Sequence, residues 1–306
     1  MPASPPAFPR KLLAPRHWSA WLGIGVVRAL AWLPPRWLLD LGGAFGTTIA
    51  PLLRSRERVI RRNLEACFPE LDAGAREDLR RESNRELGRM LGEFALGWFG
   101  SDAKLARLDV QVDGLEHLAA ARAQGRGVLL VGGHFSHLEL CARLISRQIR
   151  IAGMYRKMES AVFEYAILQA RLRYADTMFD KYALRATVKY LKQGGTIWYA
   201  PDQDLRGKDS VFAPFFGIPA STLTATHHLA RLSGAAVMPF FHRRTPTGGY
   251  ALRLEAPLAD FPSMDVTADT ARVNAAIERM VREAPEQYLW AHKRFKTRPN
   301  GAPPLY

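Results

Sequence analysis

The chain has 306 residues, enough for one large domain or two small ones around a sizeable core. With 48% hydrophobic and 24% charged residues it is neither a disordered, a collagenous nor a coiled-coil sequence. Lysine and arginine outnumber aspartate and glutamate 43 to 29, a net charge of +14; such a surface must meet nucleic acid, an acidic membrane, or a phosphorylated or acidic substrate. The only cysteines, Cys67 and Cys141, form no C-x-x-C, which excludes a disulfide framework and a structural cysteine–zinc site and favours a reducing compartment.

A basic, proline-rich lead (Pro9, Arg10, Lys11, Pro15, Arg16) precedes an apolar run from Trp18 to Leu33, interrupted by Arg28 and ended by Pro34-Pro35. A second run, Trp37 to Leu53, contains Asp40 and three glycines, and Arg54, Arg56, Arg58, Arg61 and Arg62 follow it. Three readings fit: a cleaved signal peptide, a buried helix pair, or a membrane-engaged segment. A second apolar segment and the cysteine usage oppose the first. Trp18, Trp21 and Trp32 near the ends of the first run favour the third, with the arginines on anionic headgroups or on the cytoplasmic side. A spanning helix needs about 20 apolar residues, so the sequence leaves spanning and in-plane placement both open.

From Ala75 to Trp98 the apolar residues Leu79, Leu87, Met90, Leu91, Phe94 and Trp98 fall mostly on one helical stripe. Beyond Gly100 strand and helix signals alternate. Strands are expected at Leu108–Val112, Gly127–Val131, Ile149–Met154, Thr196–Ala200, Ala236–Phe241 and Tyr250–Leu254. Helices are expected at Leu115–Ala123, His137–Ser146, Ala161–Tyr174, Leu184–Lys192, Ser221–Leu232 and Ala268–Glu283. The pattern defines an α/β fold: a mixed, largely parallel sheet flanked by helices, with a helical, membrane-engaged N-terminal extension. The expected division is a membrane-associated segment with its basic flank over 1–62 and an α/β domain over 63–306, with 76–98 as a helical lead-in.

The most informative stretch is Gly125 to Glu139, where an apolar strand runs into Gly132-Gly133, then His134, then a helix start. Reacting groups in open α/β sheets gather at such carboxyl ends, and the glycines would let a bulky substrate approach the backbone. His134 and Glu139 pair only if His134 sits at or before the helix cap and folds back over the first turn. An imidazole so placed takes a proton from an attacking hydroxyl while the carboxylate fixes its tautomer. His134 and His137 also form H-x-x-H, but spacing dictates no third metal ligand. The sequence contains no G-x-S-x-G, no P-loop and no G-x-G-x-x-G, which leaves out a nucleophile elbow and a nucleotide cofactor.

The H-x4-E of His134 and Glu139 after an apolar strand resembles the H-x4-D/E motif of glycerolipid acyltransferases. The wider set resembles the late acyltransferases of lipid A biosynthesis, the lauroyl/myristoyl transferases. It comprises Tyr155-Arg156, Trp198 to Asp204, Val211 to Gly217, Ala284 to Trp290 and Arg294 to Pro299. Lys157-Met158 departs from it, where many members continue with proline. The resemblance implies transfer of a fatty acyl chain from an acyl carrier protein thioester to a hydroxyl of a hydroxyacyl chain on a Kdo-bearing lipid A precursor. It implies no metal and no cofactor, and a catalytic domain on the cytoplasmic face of the inner membrane. His134 and Glu139 are then the catalytic pair. Arg156 is a candidate for the oxyanion or for a substrate clamp. Asp202 and Asp204 order the site loop, bind a substrate hydroxyl, or cap a turn. Arg206, Lys208, Arg294 and Lys296 belong to a substrate or donor surface, or to solvated turns. Ser221, Thr222 and Thr224 read as helix caps, His227 and His228 as structural or exposed, and Phe215 and Phe216 as acyl-channel or core residues. Two alternatives remain: an acyltransferase of the same superfamily on a phospholipid or glycolipid acceptor, and a non-catalytic basic protein binding membrane or nucleic acid. A metal hydrolase built on His134 and His137 is a third.

Overall fold

The structure, a computed structural model, describes residues 7–306; residues 1–6 of the expected N-terminal segment lie outside it. The two apolar runs form helices α1 (Trp18–Leu30) and α2 (Pro35–Ile49), separated by the Pro34-Pro35 break. The arginine cluster opens α3 (Arg54–Cys67), and α4 (Ala73–Phe99) follows, capped by Asp72, whose carboxylate accepts the Ala75 N–H at 2.8 Å. After a short helix α5 (Asp102–Leu105) come β1 (Val110–Asp113), α6 (Leu115–Ala123), β2 (Val128–Val131), α7 (Leu138–Ile145), β3 (Ala152–Tyr155) and α8 (Ala161–Arg171). Then follow β4 (Met178–Asp180), α9 (Leu184–Lys192), β5 (Thr196–Tyr199), β6 (Ser210–Phe215) and β7 (Ile218–Leu223). The chain continues through α10 (Ala225–Ser233), β8 (Ala236–Arg244), β9 (Tyr250–Leu254) and α11 (Val266–Glu283).

Seven strands make one sheet in the order β1-β9-β8-β2-β5-β3-β4. β8, β2, β5, β3 and β4 run parallel, and only the β8–β9 pairing is antiparallel. The mixed, largely parallel sheet read from the sequence is therefore the observed one. Val128 to Val131 are all fully buried because helices cover both faces. Alternate residues feed two cores. Leu129 and Val131 pack with α3 and α11 through Ile60, Leu64, Val273 and Ile277. Val128 and Leu130 pack with α4 and α7 through Leu96, Leu140 and Leu144.

The sequence reading missed β4 and the β6–β7 hairpin. Its helix Ser221–Leu232 begins only at Ala225, because Ser221 to Leu223 pair with Phe212 to Ser210. The hairpin turns on two residues, Phe216 and Gly217, both with positive φ (54° and 72°), the twist a two-residue hairpin favours. The hydroxyls read as helix caps serve elsewhere: Ser221 bonds the Leu205 carbonyl and Thr224 the Asp209 carbonyl.

α2 lies against α4 with backbone touching backbone. A Cβ on Gly88 would fall 2.0 Å from the Gly42 carbonyl oxygen and 2.7 Å from the Gly46 Cα. Among the described residues no helix is long and apolar enough to cross a membrane; the 13 residues of α1 reach about 20 Å against a hydrocarbon core of about 30 Å. Both helices nevertheless keep an outward apolar stripe, Trp18, Leu22 and Val26 on α1 and Trp37, Leu41 and Phe45 on α2, each at four-residue spacing and exposed. Gly88→Leu has no space to occupy and should destabilise the protein by about 1–3 kcal/mol, read as a lower melting temperature in thermal denaturation.

Candidate active site

β2 and β5 are paired so that Val131 faces Tyr199. Three residues past each end, His134 and Asp202 meet on the same rim. His134 Nδ1 lies 2.5 Å from Asp202 Oδ1, and the His134 backbone N–H donates to Asp202 Oδ2 at 2.8 Å. The Tyr288 hydroxyl donates to the same Oδ2 at 2.9 Å. Residues 287–289 run antiparallel to 134–136: Phe135 bridges Tyr288, Ser136 N–H reaches the Gln287 carbonyl, and Leu289 N–H reaches the His134 carbonyl at 2.9 Å. The C-terminal segment thus holds the loop that carries the imidazole. The glycines before it serve the protein's own packing rather than a substrate's approach. A Cβ on Gly132 would sit 2.6 Å from the Phe240 carbonyl oxygen, and one on Gly133 would press on Ile277, Phe135 and Tyr288.

The Asp202 side chain is 1% exposed, whereas that of His134 is 30% exposed. Burial alone would lower the His134 pKa, but the charge of Asp202 and its hydrogen bond outweigh it and raise the value above the ordinary 6.5. Burial would likewise raise Asp202, yet the imidazolium and three hydrogen bonds hold it well below the usual carboxylate range. With Nδ1–H donated to Asp202, Nε2 keeps its lone pair, and it makes no hydrogen bond among the described residues. The ring therefore has one nitrogen anchored and the other able to accept a proton.

The expected partnership of Glu139 with His134 is replaced by another. Glu139, in the first turn of α7, accepts from the Trp98 indole at 2.7 Å and from Arg171 Nε at 3.1 Å, and pairs with the Arg171 Nη2 as well. His134 lies four residues before α7, so the helix turns Glu139 toward α4 and α8 while the imidazole folds onto the β5 loop. Arg171 was not singled out from sequence, since an arginine near a helix end carries no signal of its own, and Trp98 was read only as part of an apolar helical stripe. Tyr288 was visible only inside a motif.

His134 opens on a cavity of about 290 Å³, lined mainly by apolar side chains and also by Arg156 and Arg171. Arg156, just past β3, is exposed at this cavity, where the sequence reading placed it. A larger cleft of about 1490 Å³ lies by β9, α2 and α4 and includes neither His134 nor Asp202. Asp204 does not reach the cavity. Its carboxylate accepts from Thr297 N–H and Oγ1–H, both at 2.9 Å, and its own N–H donates to His292 Nε2, so it ties the β5–β6 loop to the C-terminal segment. Arg206, Lys208 and Lys296 are exposed on these two tied segments. Arg294 is not a surface cation: it is 2% exposed, donates to the Ser221 carbonyl and Thr222 Oγ1, and stacks on Phe215. Phe215 and Phe216 belong to the core and do not line the cavity. His227 is buried against Asp269 at 2.8 Å, and His228 is exposed. His137 is buried too, with Nε2 on the His242 carbonyl; it groups with Cys141 and His242 at metal-ligand distances, a group that does not contain His134.

An aspartate-anchored imidazole at the carboxyl rim of a parallel sheet, opening on a mainly apolar cavity with arginines, can take up a proton beside a bound apolar group. A profile of the bacterial lipid A biosynthesis acyltransferases matches residues 6–297. The chain is 40% identical to the lipid A biosynthesis lauroyltransferase of Escherichia coli K12 over 303 residues, 98% of this chain and 99% of that one. It is 39% identical to the palmitoleoyltransferase of the same organism (98% of each chain) and 37% identical to a Haemophilus influenzae lipid A biosynthesis acyltransferase, again over 98% of each. A looser likeness, with a TM-score of 0.38 at 16% identity, links it to the 1-acyl-sn-glycerophosphate acyltransferase PlsC of Thermotoga maritima over 78% of this chain and 98% of that one. The chain belongs to the bacterial lipid A biosynthesis acyltransferase family and is an acyltransferase enzyme.

The geometry separates the two carboxylates. A base works only when neutral, so kcat/KM should fall as pH drops through the raised His134 pKa, with an acid limb above 6.5. Asp202→Asn should move that limb downward and cut kcat by about 10²–10⁴-fold, whereas Glu139→Gln should lower kcat without moving it. Initial rates across pH 5 to 9 check both.

Proposed function

We propose that this enzyme moves a fatty acyl chain from an acyl carrier protein thioester to the hydroxyl of a hydroxyacyl chain on a Kdo-bearing lipid A precursor, at the cytoplasmic face of the inner membrane. The observation that carries the reading is the unengaged Nε2 of an Asp202-anchored His134, beside an apolar cavity that also holds Arg156 and Arg171. In the transfer, Nε2 takes the hydroxyl proton as the oxygen attacks the thioester carbonyl and the new C–O bond forms. The tetrahedral oxyanion collapses, the C–S bond breaks, and the leaving thiolate recovers the proton from the imidazolium. Asp202 stabilises that imidazolium and fixes its tautomer. Arg156 and Arg171 supply the positive charge against which the oxyanion develops. Glu139 contributes by holding Arg171 in place.

The net charge of +14 fits this reading, because a phosphorylated acceptor and an acidic carrier are both anionic. Arg206, Lys208 and Lys296 are exposed cations on segments tied together through Asp204. The outward stripes of α1 and α2 suit a helix pair lying in the plane of the bilayer, apolar side down, rather than crossing it.

His134→Ala should abolish the acylated lipid in a mass-spectrometric assay of membranes supplied with acyl carrier protein thioester, while the protein still sediments with those membranes. Full activity in that variant would overturn the assignment. Leu41→Asp with Phe45→Asp, both on the exposed stripe, should release protein from sedimenting vesicles and leave the melting temperature within about 1 °C, since exposed substitutions cost little.

A further inference from the structure

The cavity beside His134 has a direction that the strand register reveals. Leu130 of β2 pairs with Trp198 of β5, Trp198 with Gly153 of β3, and Gly153 with Met178 of β4. Residues paired across parallel strands show their side chains on one face, so these four make a row running sideways across the sheet. Trp198, Gly153 and Met178 all line the cavity that contains His134. The row starts on the strand that carries the base and ends on β4, the last strand of the sheet. At Gly153 the row has no side chain, and the Met178 thioether fills part of that gap: a Cβ on Gly153 would lie 2.8 Å from Met178 Cε and 2.9 Å from Sδ.

Two strand spacings of about 4.8 Å separate β2 from β3, so the thioether over Gly153 stands roughly 10 Å along the row. An extended alkyl chain with bonds of about 1.5 Å advances about 1.3 Å per carbon, so two carbons more move its end about 2.5 Å. We propose that the Gly153–Met178 contact is the stop that sets acyl-chain length, so that trimming the Met178 thioether admits longer chains and adding a methyl at Gly153 admits only shorter ones. The inference rests on the reading of this cavity as the acyl site. Methionine suits the role because its unbranched thioether fits the end of an alkyl chain with little strain, and each buried methylene is worth about 0.8 kcal/mol.

The test uses the full chain with its lipid acceptor and an equimolar mixture of carrier-protein thioesters of 8 to 16 carbons, with products weighed by mass spectrometry. Wild type should favour one length within that range. Gly153→Ala drives the thioether into the cavity and should lower the ratio of fourteen- to twelve-carbon product at least fivefold. Met178→Ala should raise it at least fivefold, and Met178→Leu should leave it near wild type. Because the readout is a ratio, partial loss of folded protein does not imitate the effect. Unchanged ratios in both alanine variants, at wild-type melting temperature, overturn the proposal. A second measurement, calorimetric binding of free fatty acids of graded length, reads the cavity without turnover. The same shifts in the preferred length, with no transfer from any thioester, would uphold the length stop and overturn the proposed transfer reaction instead.

Discussion

A carboxylate sealed from water, facing one imidazole, is the constraint on which this structure turns. Asp202 is 1% exposed, and an uncompensated charge there would cost several kcal/mol. It is compensated by three donors from two other segments: the His134 ring, the His134 backbone N–H and the Tyr288 hydroxyl. Their convergence depends on the parallel pairing of β2 with β5, which sets both loops at one height. A register slip of one residue would turn every side chain of β2 to the opposite face and move His134 away from its partner. Sheet pairing, core packing and the ionisation of the base are therefore one problem with one solution.

Much of this was legible in the sequence because it rests on local patterns. β2, β5, β8 and β9 are short apolar runs bounded by turn residues, and α6 and α9 end where their periodicity ends. The placement of His134 at the carboxyl end of β2 followed from the alternation of strand and helix signals. The choice of partner did not follow. The sequence reading paired His134 with Glu139, and the direction in which α7 leaves the loop sends Glu139 to Arg171 and Trp98 instead. Chain proximity favoured the nearer carboxylate, and tertiary geometry chose the farther one.

Two other departures share that cause. Ser221 to Thr224 have the composition of a helix start, but residues 210–212 lie opposite and draw Ser221 to Leu223 into a hairpin, a pairing that local propensity cannot see. Arg294 stands in a basic cluster and looked like a surface cation. It is instead consumed by the Ser221 carbonyl, Thr222 and the Phe215 ring, while its neighbours Lys293 and Lys296 remain outside. Gly42 and Gly46 of α2, noted in the sequence only as part of an apolar run, prove with Gly88 of α4 to be the contact surface that fastens α2 to α4.

The short strip formed by residues 287–289 along 134–136 has a temporal consequence. A nascent chain emerging from the ribosome can complete all seven strands of the main sheet by Leu254 and still lack the piece that seats Tyr288 on Asp202. Competence is deferred until the last helix and the segment beyond it have been translated and docked. A half-finished polypeptide therefore lacks the hydroxyl that completes the hydrogen bonds of Asp202.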